Sequence, residues 1–360
     1  MITVALVDDQ PLVRAGFSML VGSQGDMEVA WQAGDGDEVP GREAADVVLM
    51  DIRMPSVGGI EATRALLAEH PDTRVIMLTT FDDQELVLDA LDAGDRRAVW
   101  DQAISSLLTL NRLSRDRAER PVIQAYARAK LRPVFDRIGS DGHGAGDDDT
   151  ALLRASLISA LGDLGDAAVV AEAKRRFAAF LDDSNALPTT LRDAVTHVVG
   201  ITADRTTYDR LLTLARNSTV TNERLRYYFA AAGARDAELA HATLALTLTN
   251  ELPDTIVAGM IGAVASAGEQ PQLAWDFVQA NFDALLAKQG PNFRDQFVPN
   301  FMTNFTDQAH AVELAAFAPS QSTSGVRVMV ARALQAIAIS ADLSQRVLPA
   351  ADAWIRAHKP

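Results

Sequence analysis

The 360-residue chain predicts two architectures in series: a parallel α/β sheet of four strands, then an all-α array of helices. Three observations carry that reading. Short apolar runs alternate with helix-like stretches as far as residue 95, and two of those runs end in carboxylates. From Arg97 onward strand signals vanish, and Ala, Leu and Val recur at i, i+3 and i+4 in one segment after another. Charge divides at the same place. Residues 1–95 hold 19 acidic side chains against five arginines and no lysine, so nearly all of the net charge of −15 belongs to the first quarter. Such asymmetry marks two pieces of different character, and the length itself exceeds what one ordinary core serves.

Composition narrows the function classes. There is no cysteine, which excludes disulfides and thiolate–metal sites and agrees with a reducing cytoplasm. The start, Met1-Ile2-Thr3-Val4, lacks the basic segment and apolar core of a signal peptide, and no apolar run reaches bilayer-spanning length. A cytoplasmic chain with no membrane partner is expected. A domain as acidic as residues 1–95 repels a phosphate backbone, so no nucleic-acid partner is expected either.

Taken in order, Ile2 to Val7 reads as a short buried strand, and Pro11 to Val21 as a helix with Leu12, Ala15, Phe17 and Leu20 facing inward. Met27 to Trp31 is a second strand. Gly34 to Ala45 is poor helical material, with Pro40 and Gly41 in its middle, and predicts a short distorted turn. Asp46 to Asp51 is the third strand, and Gly59 to Glu69 a helix ended by His70-Pro71. Arg74 to Thr80 is the fourth strand, and Asp82 to Ala93 a helix closed by Gly94. Strands alternating with helices at this spacing predict a parallel sheet with right-handed crossovers, whose strand carboxyl ends open into the ligand crevice. Asp8 and Asp9 follow the first strand and Asp51 ends the third. Three acids brought together there repel one another unless a hard cation such as Mg²⁺ joins them.

These residues carry a resemblance. Val7-Asp8-Asp9-Gln10, Leu49-Met50-Asp51-Ile52-Arg53-Met54-Pro55 with Gly58-Gly59, Leu78-Thr79-Thr80-Phe81 and Ala90-Leu91-Asp92-Ala93-Gly94 resemble a receiver domain, nearest to the LuxR/NarL-type response regulators of bacterial two-component systems. The resemblance covers residues 1 to about 95. It implies a flavodoxin-like fold in which Asp51 accepts phosphate from a sensor histidine kinase. Asp8, Asp9 and Asp51 would hold Mg²⁺ with the backbone carbonyl of Arg53 as a further ligand, and Thr79 would swing its hydroxyl toward the phosphoryl oxygens. A receiver continues into a fifth strand bearing an aromatic switch and then a lysine. Here Asp95-Arg96-Arg97-Ala98-Val99-Trp100 stands in that place, and the first lysine in the chain is Lys130. In the order 2-1-3-4-5 the missing strand is an edge, so an incomplete four-stranded sheet is expected. Asp51 is then expected to bind metal and to phosphorylate poorly.

The second part reads as helices at Ala98–Leu113, Val122–Ile138, Ala151–Leu161, Ala167–Leu181, Pro188–Val199, Arg205–Arg216 and Thr221–Ala232. Asp236–Leu248, Pro253–Ala267 and Gln272–Lys288 follow, with three or four more to Ala357; Gly139 to Asp149, rich in Gly and Asp, is expected to be disordered. No helix buries its apolar face alone, and a repeat of roughly 30 to 40 residues per pair is the mark of a HEAT-like solenoid.

Lys130 to Gly139, Leu152 to Leu161, Glu223 to Tyr228 and Leu273 to Phe282 are similar, in that order, to the C-terminal helical domain of zinc aminopeptidases of the aminopeptidase N and endoplasmic-reticulum aminopeptidase type. The likeness runs from about Arg97 to the C-terminus and sets domains at 1–95 and 96–360. It implies a bowl of paired helices that closes over an active site without holding catalytic residues. The zinc reaction needs an H-E-x-x-H helix, and none of the six histidines is followed by glutamate. His310 and Glu313 share a helical face but read as a solvent-exposed pair. With no cysteine and no G-x-S-x-G elbow, neither zinc nor nucleophilic catalysis is expected. Arg224, Arg226, Tyr227 and Tyr228 are candidates for a peptide groove on the concave face, with Arg235 beside them; helix packing and ordinary ion pairs are the alternative. Asp147 to Asp149 reads as an acid cluster at a helix N-terminus.

The combined expectation is a non-catalytic fusion: a Mg²⁺-dependent phosphoacceptor module joined to a helical domain that binds a peptide or protein partner. Three alternatives stay open. The truncated first domain merely caps the apolar open end of a binding solenoid, the chain is an aminopeptidase fragment whose catalytic domain lies elsewhere, or it is an artificial chimera with no joint function.

Overall fold

In the computed structural model the described residues are 1–52, 54–78, 97–140, 148–290, 294–317 and 324–357. The Asp82–Ala93 helix, Arg53, Thr79 and most of the Gly139–Asp149 loop lie outside them. The chain divides into two compact units, Met1–Ala103 and Ile104–Pro360.

The first unit contains β1 (Ile2–Val7), α1 (Pro11–Gly22), β2 (Met27–Ala33), β3 (Val47–Asp51), α2 (Gly59–Glu69) and β4 (Arg74–Leu78). The strands are parallel in the order β2-β1-β3-β4, the flavodoxin-like order with four strands. Strand periodicity sorts the core into two faces. Val4 and Leu6 turn to one side and pack with Val21 and Phe17 of α1. Ala5 and Val7 turn to the other and join Val48, Met50, Ala62 and Leu66, the last two from α2. Both faces of β1 are therefore covered, which is why its apolar run is continuous. The buried strip of α1 corrects the expected one: Phe17 and Val21, four residues apart, face the sheet, whereas Ala15 and Leu20 are exposed, Leu20 by 62%. Leu20 sits one residue off the strip and turns to solvent. Between β2 and β3 the expected distorted turn is a single 3₁₀ turn at Gly36–Glu38.

The second unit is helical. Its elements are α3 (Arg97–Leu113, which begins before the unit boundary), α4 (Arg120–Ile138), α5 (Asp148–Asp163), α6 (Ala167–Asp182), α7 (Thr189–Ile201), α8 (Arg205–Asn217), α9 (Thr221–Ala232) and α10 (Ala237–Thr247). Then follow α11 (Asp254–Ser266), α12 (Pro271–Ala280), α13 (Phe282–Lys288), α14 (Arg294–Met302), α15 (Gln308–Phe317) and α16 (Ser324–Ala357). The repeat is visible in the caps. Asp166, Asp204 and Asp236 each accept backbone N–H groups at the start of α6, α8 and α10. Neighbours in the series pack α5 on α7, α7 on α9 and α8 on α9. Gly200 of α7 is required at one such crossing, since a Cβ there would lie 2.2 Å from the Ala230 carbonyl of α9.

One expectation is corrected here. The single helix expected over Gln272–Lys288 is two, broken at Asn281, whose backbone leaves helical geometry (φ −124°, ψ 22°) and whose side-chain amide donates to the Phe277 carbonyl at 2.9 Å. The end of α3 and the start of α4 are covered within the unit itself. Leu110, Leu113 and Ile123 are buried together with Val347, Leu348 and Ile355 of α16, and Trp354 meets Tyr126 edge-on at 5.8 Å. The last helix thus closes back on α4.

Candidate metal centre

Parallel pairing in register brings Val7 of β1 opposite Met50 of β3, so the residues that follow each strand emerge side by side where the chain order reverses. Carboxylate oxygens of Asp8, Asp9 and Asp51 all lie within 4.8 Å of one another. Asp8 is buried, Asp51 half-buried and Asp9 exposed. Backbone holds two of them in place. Asp8 Oδ1 accepts the Gln10 N–H at 2.8 Å, and Asp51 Oδ1 accepts the Ile52 N–H at 2.8 Å. Arg14 of α1 donates to the Asp8 carbonyl oxygen, steadying the turn from below.

The loop after β3 is shaped by close approach. Gly59 N donates to the Ile52 carbonyl at 2.9 Å, and a Cβ on Gly59 would lie 2.0 Å from the Asp51 carbonyl oxygen. Glycine at the head of α2 is what allows that helix to sit against the strand end. Asp35 braces the same loop by accepting N–H groups from Ser56 at 2.8 Å and Val57 at 2.9 Å, and from Gly36 at 2.7 Å. Those bonds, the Val57 N–H foremost, lower its pKa below the ordinary carboxylate value. Asp35 is a supporting residue that the sequence reading missed; an acid before a Gly-x-Glu turn gives no signal of a partner about twenty residues away.

Of the sequence candidates, Asp8, Asp9 and Asp51 are brought together, while Arg53 and Thr79 lie outside the described residues. In the helical unit Tyr227 and Tyr228 are 4% and 3% exposed, packed between helices, which corrects their expected place lining a groove. The Tyr228 hydroxyl donates to Glu251 at 3.3 Å, and burial raises the pKa of both phenols. Arg226 pairs with Asp193, and the buried Nε of Arg224 has no hydrogen-bond partner among the described residues. Arg235 makes ordinary ion pairs, at 3.2 Å to Asp163 and 3.0 Å to Glu269. His310 and Glu313 are not a shared exposed pair. His310 is largely covered, stacked 3.6 Å from the Phe305 ring and held by Asp307 and Gln272, while Glu313 accepts the Trp275 indole N–H at 2.8 Å. Asp148 and Asp149 occupy the first turn of α5, where the helix dipole favours them. Among the described residues no helix is long and apolar enough to cross a membrane.

Comparison with known proteins finds two families in series, their matches overlapping over residues 83–100. The model of the response regulator receiver domain matches residues 4–100, and that of the ERAP1-like C-terminal domain matches residues 83–339. Over 96 residues the chain is 45% identical to the uncharacterized transcriptional regulatory protein YxjL of Bacillus subtilis, covering 26% of this chain and 44% of that protein. It is 42% identical over 97 residues to the response regulator GacA of Pseudomonas viridiflava, covering 26% and 45%. Against the DNA-binding transcriptional activator DevR/DosR of Mycobacterium tuberculosis it is 40% identical over 97 residues, with 26% and 45% covered. The chain thus spans less than half the length of these relatives, all through its N-terminal part. With a parallel four-stranded sheet carrying an acidic triad in front, and a closed series of capped helices behind, the chain belongs to the ERAP1-like C-terminal domain family and opens with a response regulator receiver domain.

Proposed function

We propose that residues 1–95 act as a Mg²⁺-dependent phosphoacceptor module and that residues 96–360 form a non-catalytic helical domain that binds a peptide or protein partner in the cytoplasm. The observation that carries the first part is the convergence of Asp8, Asp9 and Asp51 at the ends of two adjacent strands. Three carboxylates gathered for packing alone are costly. The donor set suits Mg²⁺: all hard oxygens, with a span of 4.8 Å close to the roughly 4.2 Å between opposite ligands of an octahedral Mg²⁺ site. Bound there, Mg²⁺ would supply the positive charge that the acids and the incoming phosphoryl oxygens both need. An Asp51 carboxylate oxygen attacks phosphorus, the phosphorus–nitrogen bond of a phosphohistidine breaks, and the departing imidazole keeps the electron pair and takes up a proton. An acyl phosphate on Asp51 results. The receiver match and its regulatory relatives support a sensor histidine kinase as donor. No lysine precedes Lys130, so the phosphoryl group lacks the usual cationic partner and slow labelling is expected.

Acetyl phosphate with Mg²⁺, followed by intact mass with an Asp51→Ala control, tests the module. A gain of one phosphoryl group that the control lacks is expected; no gain under conditions that label an intact receiver refutes it. For the helical domain, the sequence holds no H-E-x-x-H segment, and a groove of about 910 Å³ runs beside Gly259, Gly262, Phe297 and Asn300. Fluorogenic aminoacyl substrates with added zinc are expected to stay intact, while a fluorescein-labelled peptide pool is expected to gain anisotropy on the full chain. Hydrolysis overturns the non-catalytic reading, and an unchanged anisotropy overturns the binding reading.

A further inference from the structure

Covered arginines in the helical unit are commonly given work by their surroundings. Arg154, 6% exposed, donates to the carbonyls of Gly139 at 2.8 Å and Ile138 at 3.0 Å and so closes the end of α4. Arg176, 8% exposed, meets Glu172 at 2.7 Å and the Ser140 carbonyl at 2.8 Å. The turn from α3 to α4 behaves differently. The guanidinium groups of Arg112 and Arg115 have no hydrogen-bond or ion-pair partner among the described residues, and the Nε atoms of Arg115 and Arg117 are buried without a hydrogen bond. Arg117 reaches the Ser344 hydroxyl only at 3.5 Å, and Glu119 only at 3.6 Å. Burial lowers the pKa of both Arg112 and Arg115.

These three side chains line one pocket of about 340 Å³, together with Thr306 from the α14–α15 connection and Ser344 of α16. Glu269 and Asp116 attract Arg115 at longer range, but neither hydrogen-bonds it. Glu269 is shared by Arg120 at 2.6 Å and Arg235 at 3.0 Å, and Asp307 is held by His310 at 2.7 Å. Asp116 also lines the pocket but is exposed. Partly buried guanidinium groups without hydrogen-bond acceptors, as Arg112 and Arg115 are among the described residues, are costly and ask for an explanation. Their planar forks match oxyanions.

We propose that this pocket, where α16 closes on the first helix pair, is a binding site for a phosphate-class oxyanion. Phosphate fits better than carboxylate because three guanidinium groups and two hydroxyls offer more donors than the roughly four acceptor positions of a carboxylate can take. The bound oxyanion would bridge Arg112, Arg115 and Arg117 to Ser344, residues 227 positions apart at the Arg117–Ser344 contact. Free phosphate and small phosphate monoesters share this chemistry.

The test uses the full chain in EDTA, which keeps divalent cations off the acidic triad, titrated calorimetrically with inorganic phosphate and, separately, with glycerol phosphate. Saturable binding of one equivalent is expected for at least one of them, with the tighter binder identifying the source. Arg115→Met should weaken it about tenfold or more, the loss of one charge-assisted bond, and Asp51→Ala should leave it unchanged. Because Arg115 has no described hydrogen bond or ion pair to lose, Arg115→Met is expected to melt no lower than the parent chain. Independently of that variant, hydrogen exchange of residues 112–117 and 341–348 should slow when phosphate is added. No saturable binding of either probe, acetate binding as tightly as phosphate, an unchanged affinity in a folded Arg115→Met chain, or unaltered exchange overturns the proposal.

Discussion

Replacing Asp8 by Asn isolates the electrostatics of the acidic centre. Asn keeps an oxygen to accept the Gln10 N–H, which Asp8 Oδ1 takes at 2.8 Å, while removing one of three charges. Two unit charges 4.8 Å apart, the widest spacing in the triad, repel by about 1 kcal/mol in water and about 3.5 kcal/mol at an effective dielectric of 20. Asp8 is 5% exposed and Asp51 half-buried, so that pair lies toward the larger figure, and the pair with exposed Asp9 toward the smaller. In low salt without Mg²⁺, Asp8→Asn is expected to raise the opening free energy of β1 and β3 by about 2 to 4 kcal/mol. Hydrogen-exchange mass spectrometry of peptides spanning residues 2–7 and 47–51 reads this locally. At a Mg²⁺ concentration 100 times its Kd the parent chain should gain about 2.7 kcal/mol of protection, and the variant should lose most of that gain. An equal gain in both chains, or a lower baseline in the variant, would refute the cation-site reasoning.

Other expectations follow from single contacts. Gly59→Ala would put a Cβ 2.0 Å from the Asp51 carbonyl and 2.9 Å from Met50 Cγ; since backbone cannot yield cheaply, a loss of about 3 kcal/mol is expected, seen as faster exchange in β3. Tyr208→Phe removes the hydroxyl that meets Thr243 Oγ1 at 2.9 Å in the core and should cost about 1–2 kcal/mol in urea denaturation. Glu172 is held down at about 2 from an ordinary 4.5, chiefly by the Arg175 guanidinium and then by Arg176. Its folded pKa is depressed, so its contribution is fully present above pH 4.5 and is lost as pH falls toward 2. The Tm difference between the parent chain and Glu172→Gln should therefore shrink across that window; a gap that widens instead contradicts the pairing.

Much of the fold was legible because it rests on local rules. The continuous apolar run of Ile2 to Val7 reads as a doubly covered strand, and Gly59 to Glu69 is a helix with the expected limits. Thr221 to Ala232 likewise matched. Misreadings arose where neighbours outside the segment decide. Leu20 fits a helical stripe as well as Val21 does, and only the position of the sheet selects between them. At Asn281 the backbone leaves helical geometry and a side-chain bond to the Phe277 carbonyl closes the turn. Tyr227 and Tyr228 carry the same letters whether they line a groove or fill a core.

The sequence by itself determined the two architectures, the helical repeat with its capping aspartates, and the identity of the acids at the strand ends. Periodicity, caps and strand termini are set by residues within a turn or two of each other, so a linear reading reaches them. The tertiary structure alone decided that Asp35 braces the loop behind Asp51, that α16 covers Leu110, Leu113 and Ile123, and that Arg112, Arg115 and Arg117 gather around one pocket. Those outcomes depend on which distant surfaces meet, up to 227 residues apart, and burial changes the meaning of a charge only after that meeting has occurred.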